Sequence, residues 1–218
     1  MTFSRKTFSR LLLVLSAPLF LAACGINAIP TKEEAAKAQW AEVQNQYQRR
    51  ADLIPNLVET VKGFAAQERN VLTEVTEARA SATQVKVDAD TLTDPAKFQR
   101  YAAAQDRLSG VLGRLMMIQE RYPDLKSNQN FLALQSQLEG TENRIAIARR
   151  DYNEAVRGYN LEFKTFPNSF WTVVHRNSKP MQLFAASEAA QSAPSVSFSP
   201  AAPEPAAPAA TPTPAPAQ

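Results

Sequence analysis

Apolar residues recur every seven positions through most of the chain. One register holds Trp40, Tyr47, Ile54, Val61, Glu68, Val75 and Ala82; its companion holds Val43, Arg50, Leu57, Phe64, Val71, Ala78 and Val85. A sustained stripe of this period predicts amphipathic helix. Thr31-Lys32-Glu33-Glu34, just after Pro30, matches a capping box and sets the expected start. Pro55 interrupts the pattern without shifting its phase, which favours one long helix kinked near residues 52–55. The alternative stays open: two helices, with Asp52 capping one that starts at Pro55.

Residues 83–93 lack a stripe and read as a loop. Asp94-Pro95 supplies an N-cap followed by proline at the first helical position. Phe98, Tyr101, Gln105, Leu108, Leu112 and Leu115 follow at helical spacing, and Tyr122-Pro123-Asp124 ends that segment. A third helix is expected from Ser127–Asn128, with Phe131, Leu138, Ile145, Tyr152, Tyr159 and Phe166 on one face and Leu134, Ala148 and Ala155 beside them. Phe166-Pro167 closes it. Residues 168–185 are less regular and read as one or two short helices laid back on the bundle. Short connections between long helices imply an all-α, antiparallel up-and-down bundle. Gly110, Gly113, Gly140 and Gly158 fall inside helical patterns, each at a cost of about 1 kcal/mol relative to alanine, and close helix packing is the favoured reason. Met116-Met117 and the aromatic stripe read as core; the sequence leaves open whether Trp40 and Trp171 are partly exposed.

The two ends differ from this body. Residues 1–10 are basic, and residues 11–23 form an apolar run too short to span a bilayer comfortably, as in a signal peptide. The run ends in Leu21-Ala22-Ala23-Cys24, which resembles the bacterial lipobox. Cys24 would take a thioether-linked diacylglyceryl group, and further acylation of the new N-terminus would give the several chains that stable anchoring needs. The alternative is an uncleaved helical anchor with an incidental cysteine. Gly25 follows where inner-membrane lipoproteins carry aspartate, so the resemblance favours the outer membrane, facing the periplasm. From residue 186 onward alanine, proline and serine dominate, a composition that predicts a disordered tail. The expected organisation is a signal peptide over 1–23, an anchored linker over 24–30, a helical domain over 31–185 and a tail over 186–218.

Charge changes the picture less than it first suggests. The formal net charge is +3, but Arg5, Lys6 and Arg10 lie in the signal segment, which has no acid. The remainder is balanced, which removes the electrostatic case for nucleic acid. A single cysteine excludes an internal disulfide or a multi-cysteine metal site. His175, the only histidine, has no carboxylate pair at ligand spacing, and no nucleophile, phosphate-loop or zinc motif is present. No cofactor, metal or catalytic residue is therefore expected.

The polar residues within the stripes carry more information. Tyr152-Asn153 recurs seven residues on as Tyr159-Asn160; Arg149, Arg150 and Asp151 precede the first pair, and Arg49, Arg50 and Asp52 flank Pro55. One reading makes them buried hydrogen-bonding groups that fix helix register. The other makes them a polar groove that binds a partner segment, with coupling between Arg50 and Asp151 as the discriminating measurement.

The run Gln48-Arg49-Arg50-Ala51-Asp52-Leu53-Ile54-Pro55-Asn56-Leu57-Val58-Glu59-Thr60-Val61-Lys62-Gly63 resembles the signature of the LemA family. So do Arg121 to Lys126, Asn130-Phe131-Leu132, Gln135, Leu138 to Arg150 with Thr141-Glu142-Asn143-Arg144-Ile145-Ala146, the Tyr-Asn repeat and Phe166-Pro167. The resemblance covers residues 31–185. It implies a helical bundle with an N-terminal membrane attachment and no established enzymatic activity, and it adds Asn143 to the candidate polar set. Because some members are encoded beside membrane metalloproteases, it also implies an envelope protein partner. The lipobox and the proline-rich tail depart from the family pattern. The expected function is a non-enzymatic envelope scaffold or adaptor; the alternatives are a tether acting through the tail, or an accessory enzyme using the polar groove.

Overall fold

A computed structural model describes residues 27–85, 88, 90–166, 169, 172 and 176–185. Among the described residues the elements are, in chain order, α1 (Ala28–Phe64), α2 (Arg69–Gln84), α3 (Pro95–Met117), a 3-10 turn (Ile118–Arg121), α4 (Pro123–Lys126) and α5 (Gln129–Glu162). The long helices form an antiparallel up-and-down bundle. Trp40 meets Tyr152 while Arg50 meets Glu142, so α1 and α5 run in opposite directions. Glu74 pairs with Arg114 and Ala82 with Gln105, which sets α2 against α3 in the same way.

The first helix begins earlier than the capping box predicts. Asn27 precedes it, and Pro30 sits in its first turn, where the missing N–H would have lacked a helical partner anyway. Three residues assigned by sequence to the linker are therefore helical, and Glu34 pairs with Lys37 instead of capping.

The helix also runs through Pro55 without a break. Proline leaves the carbonyl four residues earlier, that of Ala51, without its helical donor. Arg79 on α2 supplies one: its Nε donates to Ala51 O at 2.8 Å. The group orphaned by the proline thus becomes the point at which α2 is fastened to α1.

The break falls instead at 65–68, after which the chain folds back as α2. Ala65 is fully buried at the corner, whereas Phe64 is 41% exposed. Glu68 is held there by the Tyr122 hydroxyl at 3.0 Å and by Arg121 at 3.1 Å. The Arg121-Tyr122-Pro123-Asp124 motif therefore ties the second half of the chain to the corner of the first helical hairpin.

The later helix starts follow the sequence closely. Asp94 Oδ1 accepts from the N–H groups of Ala96 and Lys97, and Asn128 Oδ1 accepts from Phe131 N–H. Two apolar clusters form the core, one around Ile54, Leu57, Leu108, Leu115, Phe131 and Leu138, the other around Trp40, Phe98, Tyr101, Tyr152, Tyr159 and Phe184.

Several expectations are corrected. Met117 is 64% exposed, and Phe166, beyond the end of α5, is 82% exposed, while Trp40, whose exposure the sequence left open, is buried. A methyl group built on Gly110, Gly113, Gly140 or Gly158 would meet nothing within 4 Å, so close helix approach does not account for them. Residues 178–184 are not helical; they lie back on the bundle as an extended strap. His175, Trp171, Pro167, Cys24, the signal segment and the residues from 186 onward lie outside the described residues.

Candidate functional site: a backbone clamp and a buried arginine

The Tyr-Asn repeat acts as a unit. Asn153 Nδ2 donates to Phe184 O at 2.9 Å, while its Oδ1 accepts from Phe184 N–H at 2.9 Å. Asn160 does the same to Met181, at 2.8 and 2.9 Å. Each amide side chain thus presents one donor and one acceptor to a single residue's backbone, as a neighbouring strand would. The tyrosines follow: Tyr152 Oη donates to Gln182 O at 2.9 Å and Tyr159 Oη to Lys179 O at 3.1 Å.

The spacing explains why this works. Seven helical residues rise about 10.5 Å, and three residues of extended chain cover about 10 Å. Asn153 and Asn160 can therefore engage Phe184 and Met181 only if the strap is extended and antiparallel to α5. The loop before α3 forms the opposite wall, where Gln182 N–H donates to Leu92 O at 2.7 Å. At the far end the Ser178 hydroxyl donates to Glu33 at 2.7 Å. Burial alone would raise the Glu33 pKa, but hydrogen bonds from Lys37 and Ser178 outweigh it and hold the carboxyl below its usual range. Burial pushes the Tyr159 hydroxyl up to about 12.

Two side chains anchor the strap. Met181 and Phe184 are both buried. The Phe184 ring packs on Phe98 at 4.8 Å, Tyr152 at 5.6 Å and Trp40 at 5.9 Å, under the Arg149 guanidinium at 4.4 Å.

Arg50 makes a second centre, deep in the bundle and only 1% exposed. Its Nη1 donates to Glu142 at 2.8 Å and to Ser109 Oγ at 2.5 Å; its Nη2 donates to Gln105 Oε1 at 2.6 Å and Gln105 O at 3.2 Å. Gln105 Nε2 in turn donates to Ala82 O at 3.2 Å. One guanidinium thereby links α1, α3 and α5 directly, and α2 through Gln105.

The sequence-selected polar residues do not converge on one groove. Arg49, Asn143 and Arg150 are exposed. Asp52, also exposed, accepts from Gln48 at 2.7 Å. Asp151 pairs with its neighbour Arg150 at 2.9 Å and not with Arg50. Arg149 pairs with Asp106 at 3.2 Å. Only Asn153 and Asn160 form the strap clamp, and only Arg50 enters the core. Sequence reasoning missed Arg79, Ser109, Gln105 as the arginine's partner, and both strap anchors. A glutamine in an apolar stripe was a signal for Gln105; the strap gave none, because Met181 and Phe184 lie three apart in an unpatterned stretch. Among the described residues no group of His, Cys, Asp or Glu is placed to hold a metal ion, and no helix is long and apolar enough to cross a membrane.

Residues 39–198 match the LemA family. The chain belongs to that family. The match takes in the arginine hub, the proline-bridged helix, the Tyr-Asn clamp and the strap. Among curated proteins, this LemA-family chain is 27% identical over 172 residues to Magnetosome protein MamQ 1 and to MamQ 2 of Paramagnetospirillum magneticum, covering 71% of this chain and 63% of each relative. It is 24% identical over 130 residues to Protein LemA of Metamycoplasma hominis, covering 60% of this chain and 53% of that protein. The aligned part of the chain thus spans less than two thirds of these relatives' lengths.

Proposed function

We propose that this LemA-family protein is a non-enzymatic lipoprotein of the cell envelope, held at a lipid surface through Cys24 and acting as a scaffold or adaptor for another envelope protein. The anchor rests on the order of elements: basic residues, a short apolar run, then Leu21-Ala22-Ala23-Cys24. Gly25 supports the outer membrane over the inner, with the bundle facing the periplasm. Mass spectrometry of the mature protein tests this, with an acylated Cys24 as the expected N-terminus. A chain that still begins at Met1 and carries no acyl group overturns it.

The scaffold reading is carried by how the buried polar groups are used. Arg50, Asn153 and Asn160 bind the protein's own helices and strap, which suits a rigid body that presents a surface. The magnetosome relatives are named for a cellular structure and not for a reaction, which also supports it. In-cell crosslinking should recover one specific envelope protein, with a membrane protease the first to look for; recovery of nothing specific would count against the scaffold.

The clamp favours one further reading. It grips Phe184 just before the Ala/Pro-rich stretch, so a tether acting through that stretch would have a fixed root. Deleting residues 186–218 should abolish function in a tether and spare it in an adaptor.

A further inference from the structure

We propose that the end of the bundle built from the start of α1 and the end of α5 is itself a lipid-contact surface, seated on the same anionic membrane that holds Cys24. This rests on the anchor reading and says which face of the protein meets the lipid.

Chain geometry brings that end to the membrane. Cys24 stands three residues before Asn27, the N-cap of α1, and three residues of chain reach about 10 Å at most. Trp40 against Tyr152 and Arg50 against Glu142 fix the register of α1 on α5. Carried to the helix ends, that register sets Thr165 level with Asn27. Thr165 N–H still donates to Leu161 O at 3.1 Å, so the helical path reaches that level, and Phe163 packs on the cluster that holds Ile29. A thioether at Cys24 thus places both helix ends at the lipid.

The side chains there suit a bilayer surface. Leu161 is 56% exposed and Phe166 is 82% exposed. At the same end Lys32 and Lys164 are exposed, as are Lys179, whose carbonyl Tyr159 holds, and Arg176, two residues before the Ser178 that bonds Glu33. None of these four cations makes an ion pair among the described residues. The acids nearby are already engaged: Glu33 and Glu34 with Lys37, Asp88 and Asp90 with Lys97. Glu162, half-buried, is the one acid between Tyr159 and Phe166. Apolar side chains flanked by unpaired cations are what an anionic headgroup layer receives: the first enter the headgroup–acyl boundary and the second meet phosphates. Each such cation is worth about fivefold in binding.

Contact through this end also orients the molecule. It stands α1 off the surface and carries the corner at 65–68 about 55 Å away, the length of that helix.

The test uses the full chain as isolated from membranes, reconstituted in vesicles of phosphatidylcholine with about one third phosphatidylglycerol. An environment-sensitive fluorescent amino acid replaces Leu161 in one chain, Phe166 in a second, and Met117, exposed at the far end of the bundle, in a third. Bromine atoms on the acyl chains quench only a probe that enters the lipid. Quenching at positions 161 and 166 should exceed that at position 117 by about threefold or more. It should fall by a similar factor in phosphatidylcholine alone, in high salt, and in a chain carrying Lys32→Gln, Lys164→Gln, Arg176→Gln and Lys179→Gln. These four side chains are exposed, and circular dichroism checks that the variant keeps its helices. The proposal is overturned if the probes at 161 and 166 are quenched no more than the one at 117, or if their quenching ignores charge. Mass spectrometry of the same preparation reads the anchor separately. An acylated Cys24 with unquenched probes keeps the anchor and overturns the contact; quenched probes on an unacylated chain keep the contact and remove the anchor.

Discussion

Replacing Arg50 with methionine should destabilise the bundle by about 3 kcal/mol, since removing one partner of a buried ion pair costs roughly 3–5 kcal/mol and two features set where this case falls. Glu142 keeps a side chain 40% exposed, so water can solvate it once the guanidinium is gone, and the cost moves toward the lower end. Against that, Gln105 is itself buried, and the Oε1 that accepted from Nη2 would have no replacement donor. An orphaned buried acceptor costs about 1–3 kcal/mol. Methionine fills the volume of the aliphatic stem, so little of the loss is cavity. For a domain of about 150 residues each kcal/mol moves Tm by about 2–4 °C, giving a fall of roughly 6–12 °C. Urea unfolding followed by circular dichroism measures the difference directly. A double-mutant cycle should show coupling of Arg50 with Glu142 and with Gln105, and none with Asp151. An Arg50→Met chain within 1 kcal/mol of the unaltered protein would refute the linkage of helices through this guanidinium. So would coupling to Asp151 as strong as that to Glu142.

Three further outcomes are expected. Arg79→Met should cost about 1–3 kcal/mol because it strands the buried Ala51 carbonyl; Pro55→Ala should recover much of this in the Arg79→Met background, and urea melts of the four chains would show it. Gly110→Ala, Gly113→Ala and Gly140→Ala, each on an exposed helix surface with open space for a methyl, should each stabilise by about 1 kcal/mol, read as a rise in Tm. Asp88 is held down to about 2, first by its hydrogen bond from Lys97 and then by that from Thr91. A depressed carboxylate pKa adds stability that is complete above the unfolded value near 3.8 and disappears as pH falls through the folded value. Order in the loop before α3 should therefore persist to pH 4 and decline toward pH 2, followed by the Asp88 carboxyl carbon shift; a midpoint near 4 would contradict the contact.

How much of this was legible beforehand depended on whether a feature is local. Asp94 and Asn128 announce helix starts because a cap is formed by residues two or three apart. The stripes of α3 and α5 are legible because burial repeats with the helical turn. The corner at 65–68 was hidden for a physical reason. The stripe passes from Val61 through Glu68 to Val75 in unbroken heptads, and α2 folds back against the same core, so its apolar face keeps the phase a continuous helix would have. Only Glu68, a charge in the apolar register, marked the place, and its meaning depended on Arg121 and Tyr122 more than 50 positions away.

The same distinction separates the two readings of the polar residues. Proximity in sequence grouped Arg49, Arg50 and Asp52 into a groove, but a helix turns about 100° per residue, so neighbours point apart: Arg50 enters the core while Arg49 and Asp52 face water. Asn153 and Asn160 share a face because seven residues make nearly two full turns. That makes the repeat the part of the sequence with real predictive content, and what it specifies is a length. Two amides about 10.5 Å apart on a helix can each bond both backbone groups of an extended chain only at residues three apart. A helical occupant would advance only about 4.5 Å over those residues and would satisfy one asparagine at most. The repeat therefore excludes a helix over the stretch it grips, from Lys179 to Phe184, and it fixes the extended conformation of that stretch against α5.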